Sequence, residues 1–253
     1  MSLSVAIVVF NEEDNLPRSL EAIKAIADEI IAVDSHSTDK TREIAASFGA
    51  KVYEEDWKGH IAQKNSALDK CSQDWILAID ADEVVSPKLA LAIKNVVENG
   101  DCDGYEINRQ SVYLGRTLRF MWQPDRKLRL VRRSANPRWG GYDPHDKLFI
   151  KGKTGRLEGV LTHYSYKDLA DHWRRLIAYA QTGAISYNQN GKKFSFFKLF
   201  ANPILGVLKS YLLRGGFLDG LQGFFAAVSK GVYIFLKYAF LWEIERQKSK
   251  NLS

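Results

Sequence analysis

Residues 75–83 read Trp-Ile-Leu-Ala-Ile-Asp-Ala-Asp-Glu, an apolar run that leads directly into a cluster of carboxylates. Because apolar and polar residues do not alternate, the run is typical of a central parallel strand that is covered on both faces, although a short buried helix fits the same pattern. In an open α/β sheet the ligand binds beyond the carboxyl ends of the strands. The stretch therefore predicts a buried strand that delivers Asp80 and Asp82 to a binding site.

These two aspartates have the spacing of side chains on one face of a strand. Asp80 and Asp82 lie two residues apart, so in extended chain both point the same way while Ala81 points to the other face. Carboxylates, completed by water and phosphate oxygens, suit Mg²⁺ or Mn²⁺ on a nucleotide diphosphate. An Asp-x-Asp that only caps a strand or begins a helix has the same sequence. The pair is a candidate metal site.

The chain before this stretch alternates apolar strands with helices. Strands are predicted at residues 5–10, at 30–33, around 52 and at 75–79. Pro17 suits the first turn of a helix, and Gly49 stands where a helix is expected to end. A further helix is expected from Ser86 to Gly100. The order β-α-β-α-β-α-β predicts a parallel sheet with right-handed crossovers, as in doubly wound nucleotide-binding folds.

Polar side chains follow three of the predicted strands, and we expect them to meet at one edge of the sheet. They are Asn11 with Glu12, then Asp34, then Asp80. Asp34 could accept hydrogen bonds from a ribose or a uracil edge, and Lys64 could meet diphosphate charge. Ordinary turn chemistry and a solvated lysine are the alternatives. Convergence favours a nucleotide site.

Acidic and basic residues are unevenly spread along the 253-residue chain, whose net charge is +6. Residues 1–100 hold 18 acidic against 10 basic side chains, and residues 101–253 hold 12 against 26. An acidic half suits a metal and a nucleotide, and a basic half suits an anionic acceptor or a membrane. No nucleic-acid-binding pattern occurs, so no nucleic acid partner is expected. The two cysteines fit a reducing cytosol and argue against zinc.

Four motifs follow one another in the chain: Val-Val-Phe-Asn-Glu at 8–12, Val-Asp-Ser-His-Ser-Thr-Asp at 33–39, Gln-Lys-Asn at 63–65 and Asp-Ala-Asp-Glu at 80–83. In this order and spacing they resemble family 2 glycosyltransferases, in particular the bacterial enzymes that add glucose to the lipopolysaccharide inner core. The resemblance implies an α/β nucleotide-diphospho-sugar transferase fold of the GT-A type, with a mostly parallel central sheet and helices on both faces. It also implies a UDP-sugar donor, a divalent metal (Mn or Mg) and inversion at the anomeric carbon.

The resemblance also implies roles for single residues. The nucleotide-sugar site is expected to include Phe10, Asn11, Glu12, Asp34, Lys64 and Asp80. Within it, Asp34 would contact the uridine and Asp80 the ribose or the metal shell. Asp82 would bind the metal itself. Some relatives place a late histidine on the metal or the diphosphate, which makes His163 a second candidate metal ligand, with a structural histidine as the alternative.

Residues 109–138 form a basic segment with nine Lys/Arg and one acidic residue, Asp125. Such a segment could hold a phosphorylated acceptor or the donor diphosphate, and Arg129 and Arg132 are the candidates we assign to the nucleotide-sugar site. For most of the other residues in the segment we expect a solvated basic loop. Residues 139–148, with two glycines and a proline, predict a shaped loop.

The catalytic base is expected in that loop. Inverting transfer needs one base, which takes the proton of the acceptor hydroxyl as its oxygen attacks the anomeric carbon. Relatives commonly show His-Glu where this chain has His145-Asp146, so the resemblance implies Asp146 as the base. Asp is one methylene shorter than Glu, and Asp143 and His145 stay open as alternatives.

The chain changes character from residue 194 to residue 242, where it is rich in Phe, Leu, Tyr and Gly with isolated cations. Lys230 and Lys237 are seven residues apart and share a helical face. We expect amphipathic helices lying on a membrane surface, with burial against the domain or a second copy of the chain as the alternative. No uncharged run of about 18 residues occurs, so no spanning segment is expected.

The sequence therefore predicts a catalytic domain at 1–190 and a membrane-associated helical region at 191–253. The predicted activity is inverting transfer of a sugar, expected to be glucose, from a UDP-sugar to a lipid-linked or lipopolysaccharide-core acceptor, at the cytoplasmic face of the membrane. A catalytically silent membrane-surface scaffold is one alternative. A nucleotidyltransferase is another, although the chain has no Gly-rich phosphate loop.

Overall fold

The computed structural model describes residues 1–142 and 145–250. The strands are β1 (Leu3–Val9), β2 (Glu29–Asp34), β3 (Lys51–Glu54), β4 (Trp75–Asp80), β5 (Glu83–Val85), β6 (Gly104–Tyr113), β7 (Arg116–Thr117), β8 (Arg126–Arg132), β9 (Arg138–Tyr142), β10 (His145–Phe149) and β11 (Thr154–Tyr164). The helices are α1 (Leu16–Ile23), α2 (Thr41–Ser47), α3 (His60–Lys70), α4 (Pro87–Asn99), α5 (Leu169–Gln189), α6 (Phe196–Leu208) and α7 (Gly220–Lys250).

The first half of the chain forms the predicted parallel sheet, in the order β3-β2-β1-β4. Every residue of β4 except Asp80 is buried, because helices or the β9–β10 ribbon cover both of its faces. Leu77 packs in one core cluster with Leu20 of α1, and Ile76 packs in the other with Leu68 of α3. The predicted strand at residues 75–79 is confirmed.

The second half of the sheet is antiparallel. β8 lies between β4 and β6 and runs antiparallel to both, and β11 is antiparallel to β5. The sheet as a whole is therefore mixed, and its parallel part is limited to four strands. The basic segment predicted as a largely solvated loop is wrong for residues 126–132, because Leu130 and Val131 of β8 are fully buried in the sheet.

Residues 138–142 and 145–149 form a two-stranded antiparallel ribbon, β9 with β10. The predicted loop at 139–148 is therefore a ribbon in its described part. Trp139 and Leu148 are buried and pack in the same cluster as Ala67 of α3. Packing of both strands against the core fixes where the residues of β10 lie.

Contacts divide the chain into two units: residues 1–110 with 124–164, and residues 111–123 with 165–253. The predicted boundary at 190 differs from this division, because α5 packs with α7 and the segment 111–123 packs with the C-terminal helices. The buried Asp219 carboxylate accepts three backbone N–H groups of that segment. These belong to Arg119, Phe120 and Met121, at 2.8, 3.0 and 2.8 Å.

Two helical stretches of the second unit, Phe196–Leu213 and Gly216–Lys248, are long and apolar enough to cross a membrane. No spanning segment was expected from the sequence because no long run is uncharged; these stretches carry isolated cations, and the expectation stays a prediction. The buried share of the apolar part is 0% in the first stretch and 39% in the second. Buried helices of soluble proteins meet the same criteria of length and composition, so these criteria establish no membrane topology.

Candidate active site

Three parallel strands end side by side and bring the predicted polar residues to one edge of the sheet. Asp34, at the end of β2, pairs in register with Val9 of β1, and Asp80, at the end of β4, pairs with Val8. β1 therefore lies between the two aspartates, and Asn11 follows directly from its end. The predicted convergence of these three strand ends is confirmed.

The loop after β1 is fixed to the loop after β2 by reciprocal hydrogen bonds. The Asn11 N–H donates to Ser37 Oγ at 2.9 Å, and the Thr38 N–H donates to Asn11 Oδ1 at 2.9 Å. Asn11 has φ +52°, a left-handed conformation that asparagine tolerates better than most residues. The Glu12 N–H donates to Thr41 Oγ1 at 2.8 Å. Asn11 and Glu12 therefore connect the loop after β1 to the segment that follows β2.

Phe10 and Asp34 differ sharply in exposure. The Phe10 side chain is exposed at the end of β1, where it can meet a ligand. Asp34 is fully buried, and its carboxylate accepts the Ser37 N–H at 2.8 Å and the Ser37 hydroxyl at 2.5 Å. This is the turn chemistry that the sequence left open as an alternative. Direct contact of Asp34 with a uridine stays a prediction.

Four predicted residues from separate elements meet in one ion-pair network. The Lys64 Nζ of α3 lies 2.9 Å from Asp80 Oδ1 and 2.9 Å from Asp146 Oδ2. On the other side, the Arg129 Nη2 of β8 lies 2.9 Å from Asp80 Oδ2. Asp80 is therefore held between two cations, and Lys64 bridges the strand-end aspartate to the candidate base.

The charge states in this network follow from burial and from the opposing charges. Burial disfavours the charged form of Asp80, but Lys64 and Arg129 outweigh it and hold its pKa well below the usual range. Burial also acts against the charged form of Lys64, and the carboxylates of Asp80 and Asp146 outweigh it and raise its pKa. The lowered pKa makes the Asp80 carboxylate a weak base.

Glu83 and Arg109 complete the network, although no role was predicted for either residue from the sequence. Glu83 is fully buried and accepts the Asp80 N–H at 3.0 Å and the Arg129 Nη2–H at 2.8 Å. Arg109 Nη1 lies 3.3 Å from Glu83, and its Nε lies 2.7 Å from Asp125. A buried carboxylate is stabilised by neighbouring cations. The basic segment at residues 109–138 was the feature of the sequence that indicated where such cations could come from.

Trp139 forms an aromatic wall beside the cations. The Lys64 Nζ lies 4.5 Å and the Arg129 Cζ 5.3 Å from its ring centroid. The guanidinium of Arg129 is buried, and its Nε and Nη1 have no hydrogen-bond partner among the described residues. Contact with the aromatic ring offsets part of the cost of burying that charge.

Asp82 and His163 form a second, separate pair at the same edge. His163 Nε2 lies 3.3 Å from Asp82 Oδ2, and the Tyr164 N–H donates to the Asp82 carbonyl at 3.0 Å. The two side chains are 18% and 17% exposed. Within residues 1–142 and 145–250, no group of three or more His, Cys, Asp or Glu side chains could hold a metal ion.

This donor set fits a metal that shares its shell with a substrate. Mg²⁺ and its relatives are commonly bound by one or two protein carboxylates, with phosphate oxygens and water completing the shell. Asp82 and His163 supply one carboxylate and one imidazole, partly open to solvent. Asp80 is less suited to this role because each of its oxygens already faces a cation.

Arg132 is not brought to this site. It pairs in register with Trp75 at the amino end of β4, roughly 17 Å along the strand from Asp80. There its Nη2 donates to the Gly100 carbonyl at 2.7 Å, and its guanidinium lies 4.4 Å from the Trp75 ring centroid. Placing Arg132 in the nucleotide-sugar site was wrong because the antiparallel β8 carries its last residue to the opposite edge.

Of the three candidate bases, Asp146 has a described side chain. Asp143 lies outside the described residues, and so does the side chain of His145. Asp146 is largely buried, and Lys64 contacts one of its two carboxylate oxygens. The negative charge of Asp146 also acts on the guanidinium of Arg129.

The fold and the site define a GT-A-type glycosyltransferase. The family model described as Glycosyl transferase family 2 matches residues 4–154, and the chain belongs to this family. It is 32% identical to an uncharacterized glycosyltransferase of Rickettsia typhi, over 99% of this chain and 89% of that protein. It is 29% identical to the lipopolysaccharide core biosynthesis glycosyltransferase LpsC of Rhizobium meliloti, over 99% of this chain and 95% of that protein.

Solved structures agree on the fold. TarS 1–349 of S. aureus superposes with a TM-score of 0.50 at 15% identity, covering 98% of this chain and 92% of that chain. A crystal structure of TarS 1–349 in complex with UDP-GlcNAc gives the same TM-score at 14% identity. The predicted GT-A-type fold and the predicted family are both confirmed, and the sheet is mixed where a mostly parallel one was predicted.

Proposed function

We propose that this family 2 glycosyltransferase transfers a sugar, glucose, from a UDP-sugar to a lipid-linked or lipopolysaccharide-core acceptor, with inversion at the anomeric carbon. The observation that carries the proposal is the Asp80–Lys64–Asp146 bridge, which ties the Asp-x-Asp motif to the candidate base. The acceptor class rests on similarity to LpsC over nearly the whole length of both chains. The donor class rests on the convergence of strand-end polar groups and on a fold shared with TarS.

Donor binding is proposed at the edge formed by β1, β2 and β4. Lys64 and Arg129 supply positive charge toward the diphosphate, and Phe10 supplies an exposed ring toward the base or ribose. Asn11 and Asp34 hold the two loops in the shape that receives the nucleotide. Glu83 accepts a hydrogen bond from Arg129 and so fixes the position of the guanidinium. We therefore propose Glu83 as a positioning residue.

Asp146 is proposed as the base of the reaction. Its carboxylate takes the proton of the acceptor hydroxyl while the acceptor oxygen forms a bond to the anomeric carbon. The bond from that carbon to the diphosphate oxygen breaks at the same time, and the electron pair leaves with UDP. Lys64 holds one oxygen of Asp146 and so orients the carboxylate.

A divalent metal, Mn or Mg, is proposed at Asp82 and His163. When bound, such an ion would neutralise negative charge on the departing diphosphate. Asp82 supplies the carboxylate and His163 the imidazole, 3.3 Å apart. The protein is further proposed to act at the cytoplasmic face of the membrane as a peripheral protein, through the C-terminal helices.

Release of UDP tests the proposal. Purified enzyme should release UDP from UDP-glucose when Mn²⁺ is added, and release should rise with a lipopolysaccharide-core acceptor. A product linkage opposite in configuration to the donor, read by proton NMR, would establish inversion. Absence of UDP release with every UDP-sugar and acceptor tried would favour a silent scaffold, and release of pyrophosphate would favour a nucleotidyltransferase.

A further inference from the structure

A row of alternating lysines and tyrosines lies along α5 and α7 in the second unit. In order, the row consists of Lys192, Tyr187, Lys237, Tyr233 and Lys230. The Lys237 Nζ lies 3.9 Å from the Tyr187 ring centroid and 5.3 Å from that of Tyr233. Lys192 Nζ lies 4.4 Å from the Tyr187 centroid, and Lys230 Nζ lies 5.4 Å from the Tyr233 centroid. We call this arrangement the lysine–tyrosine row.

The row carries positive charge that the described residues do not balance. None of its three lysines forms an ion pair with an acidic side chain in the described part of the chain, and Lys237 is buried. Partial loss of water and then the positive charges of Lys237 and Arg214 lower the pKa of Lys230. Cations that lose water and repel one another are stabilised by an anion.

A glycine makes room for this arrangement. A Cβ at Gly183 of α5 would lie 2.9 Å from the Tyr233 hydroxyl and 3.1 Å from the Lys237 Cδ. Any larger residue at this position would push Lys237 and Tyr233 away from α5. The close approach of α5 and α7 therefore concentrates the charge of the row.

An exposed apolar stripe runs along α6 and ends beside this charge. Its five residues recur every fourth position and are between 47% and 70% exposed: Phe196, Phe200, Ile204, Leu208 and Leu212. The neighbouring face of α6 packs on α7, where a Cβ at Gly231 would lie 2.5 Å from Val207. Leu213, 83% exposed, follows the stripe, and the next residue is Arg214, whose charge acts on Lys230.

We propose that the lysine–tyrosine row, with Arg214, binds the phosphate of an anionic phospholipid headgroup in a bilayer. Charge complementarity assigns the headgroup to the cations, and the stripe on α6 supplies the apolar face that meets acyl chains. Arg214 joins the two features at the end of the stripe. The inference deepens the proposed membrane association and rests on it, because it names the residues and the lipid class.

Vesicle sedimentation tests this site. Full-length protein is mixed with vesicles of phosphatidylcholine alone or with phosphatidylglycerol added, and the partition coefficient is measured. Each lysine near an anionic surface contributes a factor of about five to binding, so Lys230→Gln with Lys237→Gln should weaken binding to the anionic vesicles about 30-fold. Lys230→Gln alone, at an exposed position, should weaken it about fivefold without any folding defect.

The control variant removes the charge of two lysines that lie outside the lysine–tyrosine row. Lys24→Gln with Lys94→Gln replaces two exposed lysines of the first unit and should leave vesicle binding unchanged. Binding of the wild type to anionic vesicles with no loss in the row variants would overturn the site and leave the membrane association standing. Equal binding to both vesicle types would also overturn it. Absence of binding to any vesicle would remove the membrane association as well, while UDP release would still report on catalysis.

Discussion

Replacement of Glu83 by glutamine tests whether this buried carboxylate holds the active-site cations. The substitution keeps the shape of the side chain and removes its charge. In the native protein Glu83 is fully buried, accepts the Asp80 N–H at 3.0 Å and contacts Arg129 at 2.8 Å and Arg109 at 3.3 Å. The variant therefore leaves two arginines with one counter-charge fewer.

The size of the effect follows from these contacts. Removing one partner of a buried ion pair typically costs about 3–5 kcal/mol of stability, because the other charge stays buried. Arg129 keeps Asp80 at 2.9 Å, and the amide can still accept a hydrogen bond, so we expect the lower end of that range. Glu83→Gln should lower the free energy of unfolding by about 3 kcal/mol. Urea unfolding followed by circular dichroism measures this change.

Two comparisons test whether Glu83 acts as the partner of a buried ion pair. Glu158→Gln removes a carboxylate that is 79% exposed and paired with Lys88 at 2.9 Å, and it should leave stability unchanged. Combining Glu83→Gln with Arg129→Gln should cost less than the sum of the two single variants, because the residues interact directly. A loss no larger than that of Glu158→Gln, or strict additivity of the pair, would refute the buried ion-pair role.

Three further substitutions separate the proposed roles. Asp82→Asn should abolish metal-dependent UDP release while circular dichroism stays unchanged, and retained activity would contradict its role as a metal ligand. Asp146→Asn should lower transfer by at least about 100-fold, the usual contribution of a general base, yet spare UDP binding measured by calorimetry; lost UDP binding would indicate a structural role instead. Arg132→Gln should leave the affinity for UDP unchanged while Arg129→Gln lowers it, since only Arg129 lies beside Asp80. Equal losses from the two arginine variants would contradict the placement of Arg132 at the far edge.

The parallel part of the fold was predictable because three of its four strands contain continuous apolar runs. The apolar run at residues 75–79 indicated a central strand covered on both faces, with a short buried helix as the alternative, and the structure shows the strand. Glycine at position 49 was also informative, since it has φ +78° directly after α2. Local sequence pattern and global fold agree in this region.

The antiparallel part of the sheet was not predicted from the sequence because its strand β8 is rich in charged residues. β8 reads Arg-Lys-Leu-Arg-Leu-Val-Arg, a composition that resembles a solvated loop, yet Arg129 is buried because Asp80 and Glu83 neutralise it. Those partners lie more than 40 residues away in sequence, so no local pattern reveals them. Whether Arg129 or Arg132 reaches the site depends on strand direction and register, which the order of residues in one strand does not specify.

The clamp between Asp219 and the backbone of residues 119–121 has a consequence for how this protein can be divided. The chain leaves the first unit after residue 110, returns at 124 and leaves again after 164. A fragment that ends at residue 164 would keep the segment 111–123 but lose Asp219, and it would expose Tyr113, Leu118 and Met121. The C-terminal helices are therefore not a detachable appendage, and an exchange of the second unit between relatives would have to transfer residues 111–123 together with residues 165–253.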